Sequence, residues 1–258
     1  MKYKNHIFDV GAYNGLDGIA LALKNKDAMI HAFEANPELI KVIKENKKKI
    51  EKFLKVDIKN YKILNLAVSN KKKLFQFNIA KNPTVSSLNQ FSKNLEKTWP
   101  GYKEAHCTII KKLKVKGITL YEYCSKNQIP KINYLHIDTQ GNDLKVLQGL
   151  KKKINIVERG VLEAAVNQKN ALYKNNHTIK DVKKFFKKKK FGIEKILSVN
   201  IENSNEKNIY FHKKNINIKK KLRLNYNLRY FNRIITNNVN FKDKLFYYLD
   251  KIFLSKYV

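Results

Sequence analysis

The stretch Ile7-Phe8-Asp9-Val10-Gly11-Ala12-Tyr13-Asn14-Gly15 decides the fold of this chain. An apolar run of strand formers leads into two glycines, and a helical pattern follows at Leu16, Ile19, Ala20 and Leu23. Strand, glycine turn and helix N-terminus in that order make a nucleotide-type site. Glycine permits close backbone approach to a ligand, and the free amides of a helix start favour negative charge. Working outward, a second strand from Ala28 to Phe33 ends at Glu34. An acid roughly 20 residues past such a turn is placed to accept hydrogen bonds from ribose hydroxyls. The spacing is that of a dinucleotide fold, although a strict G-x-G-x-x-G is absent.

At 258 residues, 43% of them hydrophobic, the chain suits one α/β domain with additions. Its net charge of +33 invites a nucleic-acid or membrane reading. Yet Arg159, Arg223, Arg229 and Arg233 are the only arginines. Recognition of phosphates and bases favours the fork of Arg, so lysine spread over every segment reads as compositional background, and no specific nucleic-acid partner is expected. Cys107 and Cys124 lack metal-ligand spacing and read as reduced thiols of a cytoplasmic protein. Residues 1–6 run straight into the first strand, which leaves no room for a signal peptide. No apolar run approaches the ~20 residues that a membrane-spanning helix needs.

The second βα unit is well punctuated. Asn36 is a cap, Pro37 suits the first helical position, and Glu38 complements the first turn. A third strand is expected over Ile63 to Val68, and Phe75, Phe77 and Ile79 alternate as a further one. Residues 80–117 are the least regular part, broken by Asn82-Pro83, Ser86-Ser87 and Trp99-Pro100-Gly101. They read as a lid-like insertion beside the ligand site or as a plain surface insertion. Thr119-Leu120-Tyr121-Glu122 is a capping box, with Ile118 and Tyr123 placed to staple the same helix. Next, Tyr134 to Asp138 forms a strand ending in an acid, with Gly141 before a helix carrying Leu144, Leu147 and Leu150. A fifth strand is expected from Ile154 to Leu162, running into Glu163, then a helix near Ile179 to Phe186. A terminal hairpin pairs Phe191 to Val199 with Asn208 to Phe211. Alternating strands and helices argue for a parallel sheet, and the hairpin puts an antiparallel last strand at or near an edge.

Four of these pieces, in order, resemble the FkbM-type family of class I methyltransferases that use S-adenosylmethionine. Asp9-Val10-Gly11-Ala12-Tyr13-Asn14-Gly15 is similar to the family's D-V-G-A-N-x-G, and Phe33-Glu34-Ala35-Asn36-Pro37 to its F-E-P-x-P. Ala67-Val68-Ser69 resembles its A-V-S. Ile137-Asp138-Thr139-Gln140-Gly141-Asn142-Asp143-Leu144, with Val146-Leu147 and Gly149, resembles its I-D-x-E-G-x-E-x-x-V-L-x-G. Tyr13 stands where the family usually has Asn, Gln140 and Asp143 where it often has Glu, and His136 where Lys is frequent. The resemblance implies a Rossmann-like α/β fold: a mostly parallel seven-stranded sheet with an antiparallel last strand and helices on both faces. It implies a methyltransferase domain over residues 1–212 and S-adenosylmethionine as cofactor. It also implies O-methylation of a small-molecule or glycan acceptor, such as a sugar or natural-product hydroxyl.

Asp9, Gly11, Asn14, Gly15, Glu34 and Asn36 are the expected cofactor-binding residues, with Glu34 on the ribose. Asp138 and Glu163, each at a strand's carboxyl end, are the expected catalytic acids. His136 shares a strand face with Asp138 but lies deeper and reads as a hydrogen-bonded core residue. Ser86-Ser87 is similar to a Ser-Ser-Leu element of the family. Asp138 and its neighbours offer oxygens of the kind hard cations take, but not a full ligand set, and no metal is expected.

Residues 213–258 form a basic, aromatic-rich extension. Phe241, Leu245, Tyr248, Leu249 and Ile252 share one side of an expected helix over 241–256 that Asn240 would cap. That face suits docking on protein, or peripheral contact with an anionic membrane surface. Two readings compete with the enzyme: a non-catalytic basic module that binds nucleic acid on a methyltransferase-like shell, and an RNA methyltransferase.

Overall fold

The computed structural model describes residues 3–93, 95–99, 101, 103, 106–199, 205–214, 222, 224 and 228–236. In chain order the first half holds β1 (Asn5–Val10), α1 (Leu16–Lys24), β2 (Ala28–Glu34), α2 (Pro37–Leu54), β3 (Tyr61–Asn65) and β4 (Ala67–Val68). There follow β5 (Leu74–Ala80), α3 (Leu95–Thr98), β6 (Ile109–Ile118), α4 (Leu120–Lys126), β7 (Tyr134–Ile137) and α5 (Asp143–Gln148). The remainder is β8 (Arg159–Ala165), α6 (Ile179–Lys189), β9 (Phe191–Ser198), β10 (Glu206–Lys213) and α7 (Leu228–Ile235).

The main sheet has seven strands in the order β3-β2-β1-β7-β8-β10-β9. The first five of these run parallel, while β10 is antiparallel to both β8 and β9. This is the α/β class I methyltransferase fold. Sequence placed the antiparallel strand at or near an edge, and it lies one position in, with β9 outside it.

Period-two alternation sorts the side chains of β1 between two cores. Ile7 faces α1, α2 and α7 with Ile19, Ile43, Ile50 and Phe231, while Phe8 and Val10 face α4, α5 and α6 with Tyr123, Leu147 and Phe186. A strand buried on both faces needs a continuous apolar run, and that is what made β1 legible. The helix starts are fixed by their caps. Asn36 Oδ1 accepts from the Glu38 amide at 3.0 Å. Thr119 with Glu122 and Thr178 with Asp181 form complete capping boxes.

Three expectations need correction. The strand foreseen over 63–68 is two strands. It stops at Asn65, Leu66 turns with its amide on the Leu64 carbonyl (3.0 Å), and Ala67–Val68 joins a second sheet of order β4-β6-β5. About a quarter of the supposedly irregular 80–117 segment is β6, whose Leu113 and Val115 turn inward while Lys112, Lys114 and Lys116 are exposed. That alternation was present in the sequence but masked by its lysines. The fifth strand begins at Arg159, because Lys151–Ile156 forms a 3-10 helix. Backbone bonds from Lys81 to Thr108 (2.8 Å) and from Asn82 to His106 (3.2 Å) close the β5–β6 ribbon at its outer end.

Phe231 and Ile234 of α7, with Leu222, are buried against the α1–α2 face. The Lys49 ammonium adds a bond to the Ile235 carbonyl at 3.1 Å. The helix expected over 241–256 and its cap Asn240 lie outside the described residues. Among the described residues, no helix is long and apolar enough to cross a membrane.

Candidate active site

A cavity of about 410 Å³ opens over the carboxyl ends of β1, β2, β7 and β8, where open α/β sheets bind ligands. Its floor brings together Asp9, Gly11, Glu34, Asp138 and Glu163 from the sequence-derived set. Pro83–Ser86, Leu88 and Trp99 of the insertion form part of the facing wall.

The glycine turn is built for protein packing. Gly11 has φ +91°, and a Cβ there would sit 1.7 Å from the Asp138 carbonyl oxygen. Only glycine lets β1 and the loop after β7 approach so closely. A Cβ on Gly15 (φ +80°) would collide with Ile43 of α2 at 2.7 Å. Asn14 receives the Leu16 amide on Oδ1 (3.2 Å) and the Asn46 side chain on its carbonyl (3.0 Å). Asn14, Gly15 and Asn36 therefore stand behind the cavity lining and hold the turn and α2 in place. What the turn delivers is Tyr13, left-handed at φ +50°, whose amide donates to Glu34 Oε2 at 2.9 Å. The Asn36 amide donates to Glu34 Oε1 at 2.7 Å. Both carboxylate oxygens are thereby oriented, and each keeps acceptor capacity. Burial pushes Glu34 up to about 7, aided by the charge of Asp9 and opposed by the backbone donors Asn36, Tyr13 and Ala35.

His136 is hydrogen-bonded, as expected, but it also lines the cavity. Its Nδ1 lies 2.9 Å from Asp9 Oδ1. Burial lowers its pKa, but the bond to Asp9 and the charges of Asp9, Asp17 and Asp138 outweigh burial and bring it to about 9. The ring is an imidazolium at neutral pH. Asp138 is raised by burial, against the pull of His136 and a hydrogen bond from Gln140. Glu163 is raised well above the carboxylate range by burial and by Asp138, Asp143 and Glu206. Glu206, which enters the lining from β10, is pushed up to about 7 by burial, then by Asp143 and Asp138.

The loop after β7 is pinned from several sides. Asp143 accepts the amide and hydroxyl of Thr139 and the Glu163 amide (2.8 Å), tying β7 to β8. Its own pKa is pushed up to about 7, first by burial. Ser87 Oγ, from the Ser-Ser pair, donates to the Gln140 carbonyl at 2.6 Å, and Ser86 lines the cavity. Sequence reasoning missed Gln140 as a neighbour of Asp138, and with it Tyr173 and Glu206. Tyr173 and Glu206 reach the site from segments far along the chain and carry no local motif. Among the described residues, no group of three or more His, Cys, Asp or Glu side chains is arranged to hold a metal.

The sequence profile of the methyltransferase FkbM domain matches residues 9–193. The chain belongs to that family. Solved structures similar to this methyltransferase include a SAM-dependent methyltransferase from Aquifex aeolicus, with 10% identity and a TM-score of 0.42 over 81% of this chain and 82% of that one. The methyltransferase FkbM from Methylobacillus flagellatus KT is 8% identical with a TM-score of 0.48, covering 82% of this chain and 44% of that one. TrmK of M. capricolum, solved with S-adenosyl-homocysteine, is 12% identical with a TM-score of 0.43, covering 82% and 62%. No curated protein matches the chain.

The donor set fits the family's cofactor, S-adenosylmethionine. A ribose diol would find acceptors on Glu34, and the cofactor's positive centres would face a lining in which, among the described residues, carboxyl groups outnumber His136. Leu39, Leu66, Val68 and Phe77 supply the apolar wall that an adenine requires.

Proposed function

We propose that this methyltransferase transfers a methyl group from S-adenosylmethionine to a hydroxyl oxygen of a sugar, glycan or other small natural product. The observation that carries the reading is the presence of Asp138 and Glu163 in one cavity with Glu34. The ribose acceptor and the two candidate catalytic acids thus converge at the carboxyl ends of the parallel strands. The bound cofactor supplies an electrophilic methyl group, so alignment of the acceptor governs much of the rate.

Glu34 holds the ribose, while Asp9 and the Gly11 turn set the β1 end of the site. Asp138 takes the hydroxyl proton, and Glu163 orients the acceptor beside it. His136 bonds Asp9 through Nδ1 and places positive charge next to Asp138, favouring the Asp138 carboxylate over its acid. Catalysis is assigned to residues 1–212, with 80–117 as the acceptor-side wall and 213–258 as an accessory segment docked on protein. The protein is placed in the cytoplasm, with no metal and no specific nucleic-acid partner.

Calorimetry of the full chain with S-adenosylhomocysteine tests cofactor binding, and no heat at high micromolar ligand sinks the enzyme reading. Cofactor turnover on a panel of glycans and polyols tests the acceptor class. Tight, salt-sensitive RNA binding without cofactor binding would favour the basic-module reading instead.

A further inference from the structure

Gln140 sits between a carboxyl group and a phenol hydroxyl. Its Nε2 is 2.7 Å from Asp138 Oδ1, and its Oε1 is 2.9 Å from the Tyr173 hydroxyl. That hydroxyl is also 2.8 Å from the Val85 carbonyl. Tyr173 has one proton and faces two acceptors, so one of the two contacts lacks a hydrogen. Turning the amide over removes the conflict, because side-chain N and O are told apart only by their hydrogen-bond partners. Tyr173 then donates to Val85, and the Gln140 amide donates to the Tyr173 oxygen. The Gln140 oxygen now meets Asp138 Oδ1 at the 2.7 Å typical of an O–H···O bond. Two oxygens hold that distance only with a proton between them, and the proton must be on Asp138.

Each orientation of the amide therefore matches one charge state of Asp138. The frame around it is fixed. Gln140 is left-handed (φ +55°) with its carbonyl held by Ser87, and Gly141 follows at φ +84° against the Tyr173 ring. Tyr173 is 1% exposed and stacked on Phe91 with centroids 5.4 Å apart. Between the Gln140 backbone and the Tyr173 ring, the terminal amide is the part left to move.

We propose that Gln140, backed by Tyr173, is a positioning residue whose side-chain amide turns over when Asp138 becomes protonated, so that both charge states of the proton acceptor are hydrogen-bonded. The inference rests on the assignment of Asp138 as that acceptor. In the transfer, the methyl–sulfur bond breaks with its electron pair left on sulfur, a carbon–oxygen bond forms, and the hydroxyl proton passes to Asp138. A half-turn of the carboxyl about Cβ–Cγ brings the protonated oxygen to the Gln140 side and away from the methylated product. The groups facing Asp138 are His136 on its own strand, Asp9 of β1, Asp17 of α1, Asp143 of α5, Glu163 of β8 and Glu206 of β10. Several of these titrate too, so the readout must be site-specific.

The test uses the full chain carrying carbon-13 in Asp carboxyls and nitrogen-15 in Gln side chains, with protonated Tyr in a deuterated background. Gln140→Glu or Gln140→Asn assigns the amide by its loss, and Asp138→Asn assigns the carboxyl. The Gln140 amide protons should titrate with the same midpoint as the Asp138 carboxyl. Their cross-peak to the Tyr173 ring protons beside the hydroxyl should grow several-fold below that midpoint. A cross-peak of constant intensity, or an amide midpoint different from that of Asp138, overturns the proposal. Neither measurement needs methyl transfer. An absence of S-adenosylhomocysteine binding would count against the enzyme reading without touching this result.

Discussion

Replacing Glu34 by Gln isolates a proton that cofactor binding is expected to expel. In the free protein the Glu34 carboxyl titrates at about 7, because burial and the Asp9 charge outweigh three backbone donors. Two ribose hydroxyls bond the ionised form, so binding draws the pKa well below 6 and the apparent affinity follows the ionised fraction of the free protein. That fraction is about nine-tenths at pH 8 and about one-tenth at pH 6, so the dissociation constant for S-adenosylhomocysteine should weaken about tenfold over the interval. About half a proton should be released per ligand at pH 7, read as the slope of calorimetric enthalpy against buffer ionisation enthalpy. Asp143 and Glu206 also titrate at about 7, and Glu34→Gln tells their share apart. The variant should bind roughly 10- to 150-fold more weakly at pH 8, the worth of hydrogen bonds to a charged group. It should also lose most of the pH dependence. A wild-type constant that is flat from pH 6 to 8 with no proton release would refute the reasoning. So would a Glu34→Gln variant that keeps the full tenfold slope.

Other outcomes follow from the cores and the loop. His31 is buried against His6 (3.0 Å) and the Tyr123 hydroxyl (2.8 Å), and burial holds its pKa down to about 3. Its neutral form stabilises the fold above pH 6.5 and loses that advantage as the pH falls. The stability difference between wild type and His31→Phe, read by urea unfolding, should shrink by roughly 1–2 kcal/mol from pH 6.5 to 5. Asp143→Asn should cost roughly 1–2 kcal/mol more at pH 6 than at pH 8, because a folded-state carboxyl raised to about 7 makes the wild type lose stability as it ionises; equal costs would contradict the titration. Phe231→Ala should cost about 3 kcal/mol by the same assay, since α7 buries that ring on α1 and α2. A neutral result there would leave α7 with no part in stability.

How much was readable beforehand depended on the range of the interaction. β1, the Glu34 strand, the Asn36 cap and the Thr119 capping box were legible because each is set by residues within a few positions. The same locality exposed the strand ending at Asp138. The break at Leu66 was not legible: Ile63 to Val68 is uniformly strand-forming, and only pairing with the distant β6 draws Ala67 and Val68 into another sheet. The glycines were visible as a turn, but their contacts with Asp138 and Ile43 require the folded neighbours. Glu206 and Tyr173 enter the site through strand order and a late loop, which no spacing rule encodes.

The hydrogen bonds that close the β5–β6 ribbon have a consequence for how such a chain diversifies. The rung from Asn82 to His106 closes the base of the excursion that carries Pro83–Ser86, and backbone bonds of Ser87 with Asn78 and of Ser92 with Leu172 tie it inward. Pro83–Ser86 and Trp99 sit on that excursion, whereas Glu34, Asp9 and Asp138 belong to the parallel sheet. Under the proposed function this excursion is the acceptor wall, tied at its base and at its inner face. Its residues facing the cavity can vary only while Ser87 on Gln140, Val85 on Tyr173 and Phe91 on Tyr173 are kept, because those contacts hold the loop that carries Asp138.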